Sequence, residues 1–162
     1  MNDFPILLVE DDENDVFFFE RAMKQTQLDH PLCVVRDGRE AIAYLSGTGA
    51  FKDRAQSPLP CLVMLDLNLP HKHGLEVLQW IRASAPDPIV PVVVLTSSTS
   101  DLEMREAYRF GANSCLSKPS RPEELIELVR VLKVYWFDYN RVPPASGAEL
   151  LERVWTFRAS SG

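Results

Sequence analysis

Five polar side chains, each placed at or just beyond the end of a short apolar run, are of the types that handle a phosphoryl group. Three are carboxylates, namely Glu10, Asp11 and Asp66. The other two are the hydroxyl of Thr96 and the ammonium of Lys118. Phosphoryl transfer needs a nucleophile, positioning and charge neutralisation. The set therefore predicts a site in which Asp66 is the nucleophile, while Thr96 and Lys118 bind oxygens of the transferred group.

A divalent cation is predicted beside these acids, because neighbouring carboxylates repel one another unless a positive ion lies between them. Hard oxygen ligands of this kind suit Mg²⁺. We expect Asp11, Asp66 and a backbone carbonyl near Asn68 to hold the ion, with Glu10 acting through a water molecule. Open coordination positions would then receive phosphoryl oxygens.

Each of these residues also has an ordinary structural explanation. Acids such as Glu10 and Asp11 are favoured at a helix start by the helix dipole. Thr96 alone would be a helix cap, and Lys118 alone would be a solvated surface charge. Asp66 is harder to explain in this way, because a carboxylate that closes a buried strand is costly unless it is paired or functional. The combination in this order predicts the function.

Short apolar runs alternate with amphipathic segments, a pattern that predicts an α/β fold with a parallel sheet covered by helices on both faces. In such sheets, sites form outside the carboxyl ends of the strands, where the five polar residues fall. Asp37 and Ser120 are the predicted caps of the second and last helices. The predicted strands are 6–9, 32–35, 61–65, 92–95 and 114–116, and the predicted helices are 13–27, 38–45, 74–83, 100–110 and 122–139.

Length and composition favour one folded domain. The chain has 162 residues, with 17 Lys plus Arg against 23 Asp plus Glu, a formal net charge of -6. Without a basic run, direct nucleic-acid binding is disfavoured. No apolar run reaches membrane-spanning length and no signal-peptide pattern follows Met1, so a cytoplasmic protein is expected. Cys33, Cys61 and Cys115 are an odd, scattered set, which favours reduced thiols.

Several short motifs occur here in the order known from one family of signalling domains. They are Val9-Glu10-Asp11-Asp12, Leu65-Asp66-Leu67-Asn68-Leu69-Pro70, Gly74, Leu95-Thr96-Ser97 and Lys118-Pro119. Through them, over about residues 4–139, the sequence resembles the response-regulator receiver family.

The resemblance implies a flavodoxin-like (CheY-like) doubly wound fold with five parallel strands in the order 2-1-3-4-5. It also implies that Asp66 is phosphorylated by a histidine kinase, that the acidic pair holds Mg²⁺, and that Thr96 and Lys118 contact the phosphoryl group. Such a protein is a switch in a two-component phosphorelay rather than an enzyme acting on other molecules. It signals through protein contacts. The Lys118-Pro119 bond is expected to be cis, aiming the lysine inward.

Three features resemble more specifically the stand-alone regulators that pair with bacterial and cyanobacterial phytochrome kinases. They are the long connector 46–60, the run 66–70 and the segment Val134-Tyr135-Trp136-Phe137. One position departs from the family, because Cys115 stands where receivers usually carry a switch aromatic. Cys115 either leaves room for Thr96 to move or fills core space, and the second role is favoured.

The main alternative is an enzyme resembling haloacid-dehalogenase-like phosphatases, which also use an aspartate nucleophile, Mg²⁺, a hydroxyl and a lysine. The order of the motifs opposes it, because Asn68 stands where those enzymes carry a general acid and the acidic pair precedes the nucleophile. A dinucleotide-binding module lacks the Gly-x-Gly-x-x-Gly run after the first strand. A receiver with a DNA-binding output domain would need a longer segment after the last helix.

Other conspicuous residues are assigned by their setting. Phe17, Phe18 and Phe19 are successive helical positions about 100° apart, so at least one ring should be exposed. An exposed ring would suit docking of the phosphodonor, and a helix buried on two sides is the open alternative. The histidines His71 and His73 are expected in a solvated loop, and Trp80 in core packing.

The receiver domain is predicted to span residues 4–140 and a tail to span residues 141–162. Apolar residues surround the last helix, so a second apolar face is predicted beyond the one that covers the sheet. We expect a homodimer through this helix, sensitive to a charge at Val134 or Trp136. Leu150, Leu151, Val154 and Trp155 have helical spacing, which predicts a short amphipathic tail helix beside that face.

Overall fold

The fold is a five-stranded parallel sheet, seen in a computed structural model that describes residues 4–141. The strand order is β2-β1-β3-β4-β5, as the resemblance implied. All neighbouring strands pair in parallel, so their carboxyl ends share one edge. The strands are β1 Ile6–Val9, β2 Leu32–Val35, β3 Leu62–Leu65, β4 Val92–Thr96 and β5 Ser114–Ser117.

Helices connect the strands on both faces of the sheet, and the ends of the first four lie within two residues of the predicted ones, whereas the last α-helix ends at Lys133, six residues before its predicted end. The tail helix predicted within residues 148–157 lies outside the described residues. The helices are α1 Glu13–Thr26, α2 Gly38–Ser46, α3 Gly74–Ser84, α4 Asp101–Arg109 and α5 Pro122–Lys133; a short 3-10 turn covers Gly49–Phe51 and a π-helical turn, Val134–Tyr139, continues α5.

Two hydrophobic cores lie on opposite faces of the sheet, because successive strand residues point to opposite sides. In β1, Ile6 and Leu8 pack with α1 and α5, whereas Leu7 and Val9 pack with α2 and α3. Strands covered on both faces read as unbroken apolar runs. This burial is why the strand positions were visible in the sequence.

Side-chain caps fix the starts of the helices around the carboxyl edge. Asp12 caps α1, its Oδ1 accepting from the backbone N–H groups of Asn14 at 2.8 Å and Asp15 at 3.0 Å. Asp37 caps α2 as predicted. The expected Ser120 cap is wrong, because Arg121 is the N-cap of α5 and forms no side-chain cap bond. Proline at the first helical position sets where that helix begins.

The end of α5 differs from the prediction in its helical form and in the placement of Trp136. Trp136 is only 7% exposed and belongs to the α1/α5 core, so its expected place on a free dimer face is wrong. The π-helical turn changes which residues face the sheet, because its hydrogen bonds skip one more residue than those of an α-helix. The exposed apolar side chains here are Val131, Val134, Tyr135 and Tyr139. Across residues 4–141, no helix has the length and apolarity needed to cross a membrane.

Candidate functional site

The predicted site residues lie together at the carboxyl edge of the sheet. Backbone hydrogen bonds continue the sheet one residue beyond the strands, which fixes the starting point of each functional side chain. The Asp66 N–H donates to the Val9 carbonyl at 3.1 Å, and the Lys118 N–H donates to the Thr96 carbonyl at 2.8 Å. The Glu10 N–H donates in the same way to β2.

The Lys118 ammonium lies among three carboxylates. Its Nζ is 2.8 Å from Asp66 Oδ2, 2.5 Å from Glu10 Oε2 and 2.9 Å from Asp15 Oδ2. An ammonium has three N–H donors, and all three are engaged. The Lys118 side chain is 13% exposed, which excludes the solvated surface charge considered above.

Burial and charge act against each other on the ionisable groups of this cluster. Burial acts to lower the pKa of Lys118, but its hydrogen bonds to Asp66, Glu10 and Asp15 outweigh burial and raise that pKa above the ordinary lysine value. Burial also raises the pKa of Glu10, and the hydrogen bond from Lys118 opposes that rise. The ammonium therefore stays charged at neutral pH and stabilises the buried acids beside it.

Glu10, Asp11 and Asp66 form the acidic cluster predicted for a metal ion. Each offers a carboxylate oxygen, and these oxygens lie within 4.8 Å of one another. Glu10 and Asp66 are buried and Asp11 is exposed, so the cluster is open to solvent on one side. The N–H of Asn68, itself exposed, donates to Asp66 Oδ1 at 3.2 Å, which places Asn68 beside the cluster. An all-oxygen set of this kind fits a hard divalent cation.

Gly74 allows α3 to begin against the backbone of Asp66. A Cβ added at Gly74 would lie 2.3 Å from the Asp66 carbonyl oxygen and 2.6 Å from the Leu67 Cα. The Gly74 N–H also donates to the Leu67 carbonyl at 2.8 Å. This close approach explains the glycine of the motif and supports the loop that carries Asp66.

Thr96 is buried at the end of β4, but its side chain does not contact Asp66 or Lys118 among the hydrogen bonds of residues 4–141. Its Oγ1 accepts from the Ser98 N–H at 3.2 Å. Thr96 and Cys115 both line a cavity of about 250 Å³ between β5 and α4. Half-buried Cys115 also packs against the core, so both of its suggested roles fit its position.

A chain of side-chain contacts joins the two loops beside the site. His73 caps α3, its Nδ1 accepting from the Leu75 N–H at 3.2 Å, and its Nε2 is 3.2 Å from Glu103 Oε1. The hydroxyl of Ser98 donates to the other carboxylate oxygen of Glu103. The expected solvated loop histidine is therefore a helix cap and a link to α4.

The Lys118-Pro119 bond is trans, since no cis peptide bond occurs within residues 4–141. The expected cis bond is therefore wrong. The trans form is intrinsically favoured by about 0.5–1 kcal/mol before proline. The lysine points inward without it, because the carboxylates of Glu10, Asp15 and Asp66 attract the ammonium.

Asp15 is the site residue that the sequence analysis missed. It lies in the first turn of α1, where acids are common for reasons of the helix dipole alone. Its partner Lys118 is 103 residues away in sequence. The one available signal was its place in the first helical turn shortly after the acidic run 10–12, which brings it near the predicted site.

Comparison with known proteins agrees with this geometry. Residues 6–130 match the family described as response regulator receiver domain. Response regulator Rcp1 of Synechocystis sp. is 36% identical over 140 residues, covering 86% of this chain and 93% of Rcp1. The probable methanogenesis regulatory protein FilR2 of Methanothrix harundinacea is 40% identical over 140 residues, covering 86% of this chain and 88% of FilR2.

Solved structures show the same likeness. The phosphorylated cyanobacterial phytochrome response regulator RcpA superposes with a TM-score of 0.81 at 32% identity, covering 87% of this chain and 99% of RcpA. The Mn²⁺-bound form of Rcp1 gives a TM-score of 0.78 at 35% identity, covering 86% of this chain and 99% of that structure. The comparisons give the haloacid-dehalogenase-like phosphatase alternative no support.

Proposed function

This chain belongs to the response regulator receiver domain family, and we propose that its Asp66 accepts a phosphoryl group from the phosphohistidine of a histidine kinase. The phosphorylated chain then signals through contacts with other proteins. The contact between Lys118 and Asp66 carries this proposal. The ammonium lies 2.8 Å from an oxygen of Asp66, where positive charge would stabilise an incoming phosphoryl group.

In the proposed transfer, a carboxylate oxygen of Asp66 attacks phosphorus and the P–N bond of the phosphohistidine breaks. The bonding electron pair leaves with the imidazole, which is neutral when its other nitrogen carries a proton. The product is an acyl phosphate on Asp66. Lys118 neutralises charge on the transferred oxygens, and the Thr96 hydroxyl offers them a hydrogen bond.

Mg²⁺ is the cation we propose for the acidic cluster. Asp11, Asp66 and the Asn68 carbonyl would hold it, and Glu10 would act through water. When bound, it neutralises the negative charge that gathers as the phosphoryl group meets the carboxylates. The oxygen-only set and its opening to solvent support this assignment.

Intact-mass measurement after incubation with Mg²⁺ and acetyl phosphate tests the proposal. We expect one added phosphoryl group that hydroxylamine removes, as it does from acyl phosphates. Asp66→Asn should fold and remain unlabelled. The matched control Asp29→Asn changes an exposed acid elsewhere and should be labelled like the natural chain. Full labelling of Asp66→Asn would overturn the assignment.

A phytochrome-type histidine kinase, bacterial or cyanobacterial, is the phosphodonor we propose. RcpA, described as a phytochrome response regulator, shares the fold over 87% of this chain. FilR2 carries a different description at higher identity, so the choice of kinase needs a direct test. Transfer from a purified phytochrome kinase should be faster than from an unrelated histidine kinase. Equal rates would reject the pairing.

Phe17 is the proposed contact of α1 with that kinase. Its ring is 58% exposed, whereas Phe19 is buried in the α1/α5 core, which agrees with the expected exposure of at least one ring. Phe17→Ala should slow transfer from the kinase while leaving labelling by acetyl phosphate unchanged. Loss of both activities would instead indicate damage to the site.

A homodimer through the far part of α5 is also proposed. Val131, Val134, Tyr135 and Tyr139 are exposed and lie on successive turns of α5 and its π-helical extension. Such apolar surface usually marks a partner site, and a two-fold contact buries it in both copies. Light scattering should give a dimer mass for the natural chain and a monomer mass for Val134→Glu. A monomer at micromolar concentration in both would reject the dimer.

The remaining expectations follow from charge and family. We infer that the protein is a cytoplasmic switch that catalyses no reaction on other molecules and binds no nucleic acid directly. The formal net charge of -6 opposes phosphate-backbone contact. A gel-shift assay with duplex DNA should show no complex at physiological salt. A salt-sensitive complex would contradict this view.

A further inference from the structure

Three carboxylates hold the Lys118 ammonium, and they differ in what else they do. Glu10 and Asp66 belong to the acidic cluster that suits a cation. Asp15 contacts Lys118 at 2.9 Å but does not belong to that cluster. A cation in the cluster would therefore change two partners of the ammonium and a phosphoryl group on Asp66 would change one, whereas Asp15 takes part in neither event.

The position of Asp15 is set by its own helix. It lies in the first turn of α1, where its backbone N–H donates to Asp12 Oδ1 at 3.0 Å. Asp12 follows Asp11 directly, so the start of α1 is joined to the acidic cluster by the chain itself. The start of α1 thus places Asp15 beside the site, whereas the ends of β1 and β3 place Glu10 and Asp66.

We propose that Asp15 is a positioning residue that keeps the Lys118 ammonium at the Asp66 carboxylate while the other two partners change. The inference rests on the proposed function and adds to it. Asp15 engages one N–H of the ammonium and leaves two for Asp66, Glu10 or phosphoryl oxygens. Asp15 is not one of the three residues of the acidic cluster, and its carboxylate contacts the Lys118 ammonium.

The exposure of Asp15 decides whether it positions the Lys118 ammonium or competes with the phosphoryl group for it. Its side chain is 46% exposed, against 4% for Glu10 and 6% for Asp66. Ion pairs with a solvated partner are weak, so Asp15 holds the ammonium without withdrawing it from the site. A buried acid at the same distance would compete with the phosphoryl group for Lys118.

Phosphorylation kinetics test this role with the full chain, Mg²⁺ and acetyl phosphate. Asp15→Asn should slow labelling of Asp66 about two- to fivefold, the range expected for a partly exposed ion pair. Asp15→Glu should recover part of the rate by restoring the charge. The control Glu13→Gln removes an acid from the same helical turn without touching Lys118 and should leave the rate unchanged. An unchanged or faster rate in Asp15→Asn would overturn the role.

A second readout does not depend on phosphorylation. The NMR signal of the Lys118 ammonium should be protected from exchange with water in the natural chain, with and without Mg²⁺. In Asp15→Asn, Mg²⁺ should increase the exchange rate, because the cation takes the remaining acids. Equal protection in both proteins with Mg²⁺ would reject the inference. If the natural chain does not become labelled, the proposed function is rejected. The exchange rates of the Lys118 ammonium in the two proteins still decide whether Asp15 holds it.

Discussion

His73 Nε2 lies 3.2 Å from Glu103 Oε1, so the loop after Asp66 is bound to the first turn of α4. The same carboxylate accepts from Ser98, whose backbone N–H donates to Thr96. The loop after Asp66 and the loop after Thr96 are therefore linked by side chains that the sequence places in separate segments.

Glu103→Gln should loosen this link. The amide keeps the shape but loses the charge that His73 and the Ser98 hydroxyl contact. Because both sides of the pair are partly exposed, we expect a loss of no more than about 1 kcal/mol in the free energy of unfolding, measured with urea. The control Glu106→Gln breaks only the surface pair with Arg109 and should cost less. Equal losses would show that the link adds nothing to stability.

Lys118→Met should be far more costly. It would leave the buried acids Glu10 and Asp66 without their cation, and breaking a buried ion pair costs about 3–5 kcal/mol. Urea unfolding at neutral pH measures this loss. Adding Mg²⁺ should restore part of the stability, since the cation would replace the missing charge. Arg130→Met, at an exposed pair with Glu127, is the control and should change little.

Gly74→Ala should disturb the site through packing alone. The new methyl group would meet the Asp66 carbonyl at 2.3 Å, so the backbone of the loop must shift. Overpacking of this kind costs about 1–3 kcal/mol. We expect lower stability together with slower labelling of Asp66 by acetyl phosphate. Natural stability and rate in this variant would mean that α3 can move away freely.

Cys61 should respond to pH as a partly buried thiol. Burial raises the pKa of Cys61 to about 11, whereas a free cysteine has a pKa of about 8.5. An acid whose pKa is raised by folding binds its proton more tightly when folded, so the thiol lowers stability as pH rises from about 8.5 towards 11. Cys61→Ser should flatten this part of the stability curve. Labelling by iodoacetamide at pH 8, followed by mass spectrometry, should be slow, and rapid labelling would contradict the burial.

Burial explains what the sequence could predict of the fold. Leu62 to Leu65 and Val92 to Leu95 are buried on both faces, so they appear as unbroken apolar runs that end at functional residues. The start of α5 was less visible, because Ser120 and Arg121 both precede Pro122. The proline at the first helical position decides in favour of Arg121.

Long-range contacts explain the features of the fold and the site that the sequence could not predict. The inward direction of Lys118 was expected from a cis bond, but the surrounding carboxylates provide it. Asp15 was missed because its partner lies 103 residues away. Trp136 was assigned to a free surface because a regular α-helix was assumed where the chain forms a π-helical turn.

Together with α5, that π-helical turn also separates two surfaces of the molecule. The 12 residues of α5 extend roughly 18 Å from the edge that carries Lys118, and the 6 residues of the turn continue in the same direction. Tyr135 and Tyr139 are therefore at the opposite end of the sheet from Asp66. A partner seated on them would leave the approach to Asp66 clear, so the proposed kinase and the proposed second copy would use separate surfaces.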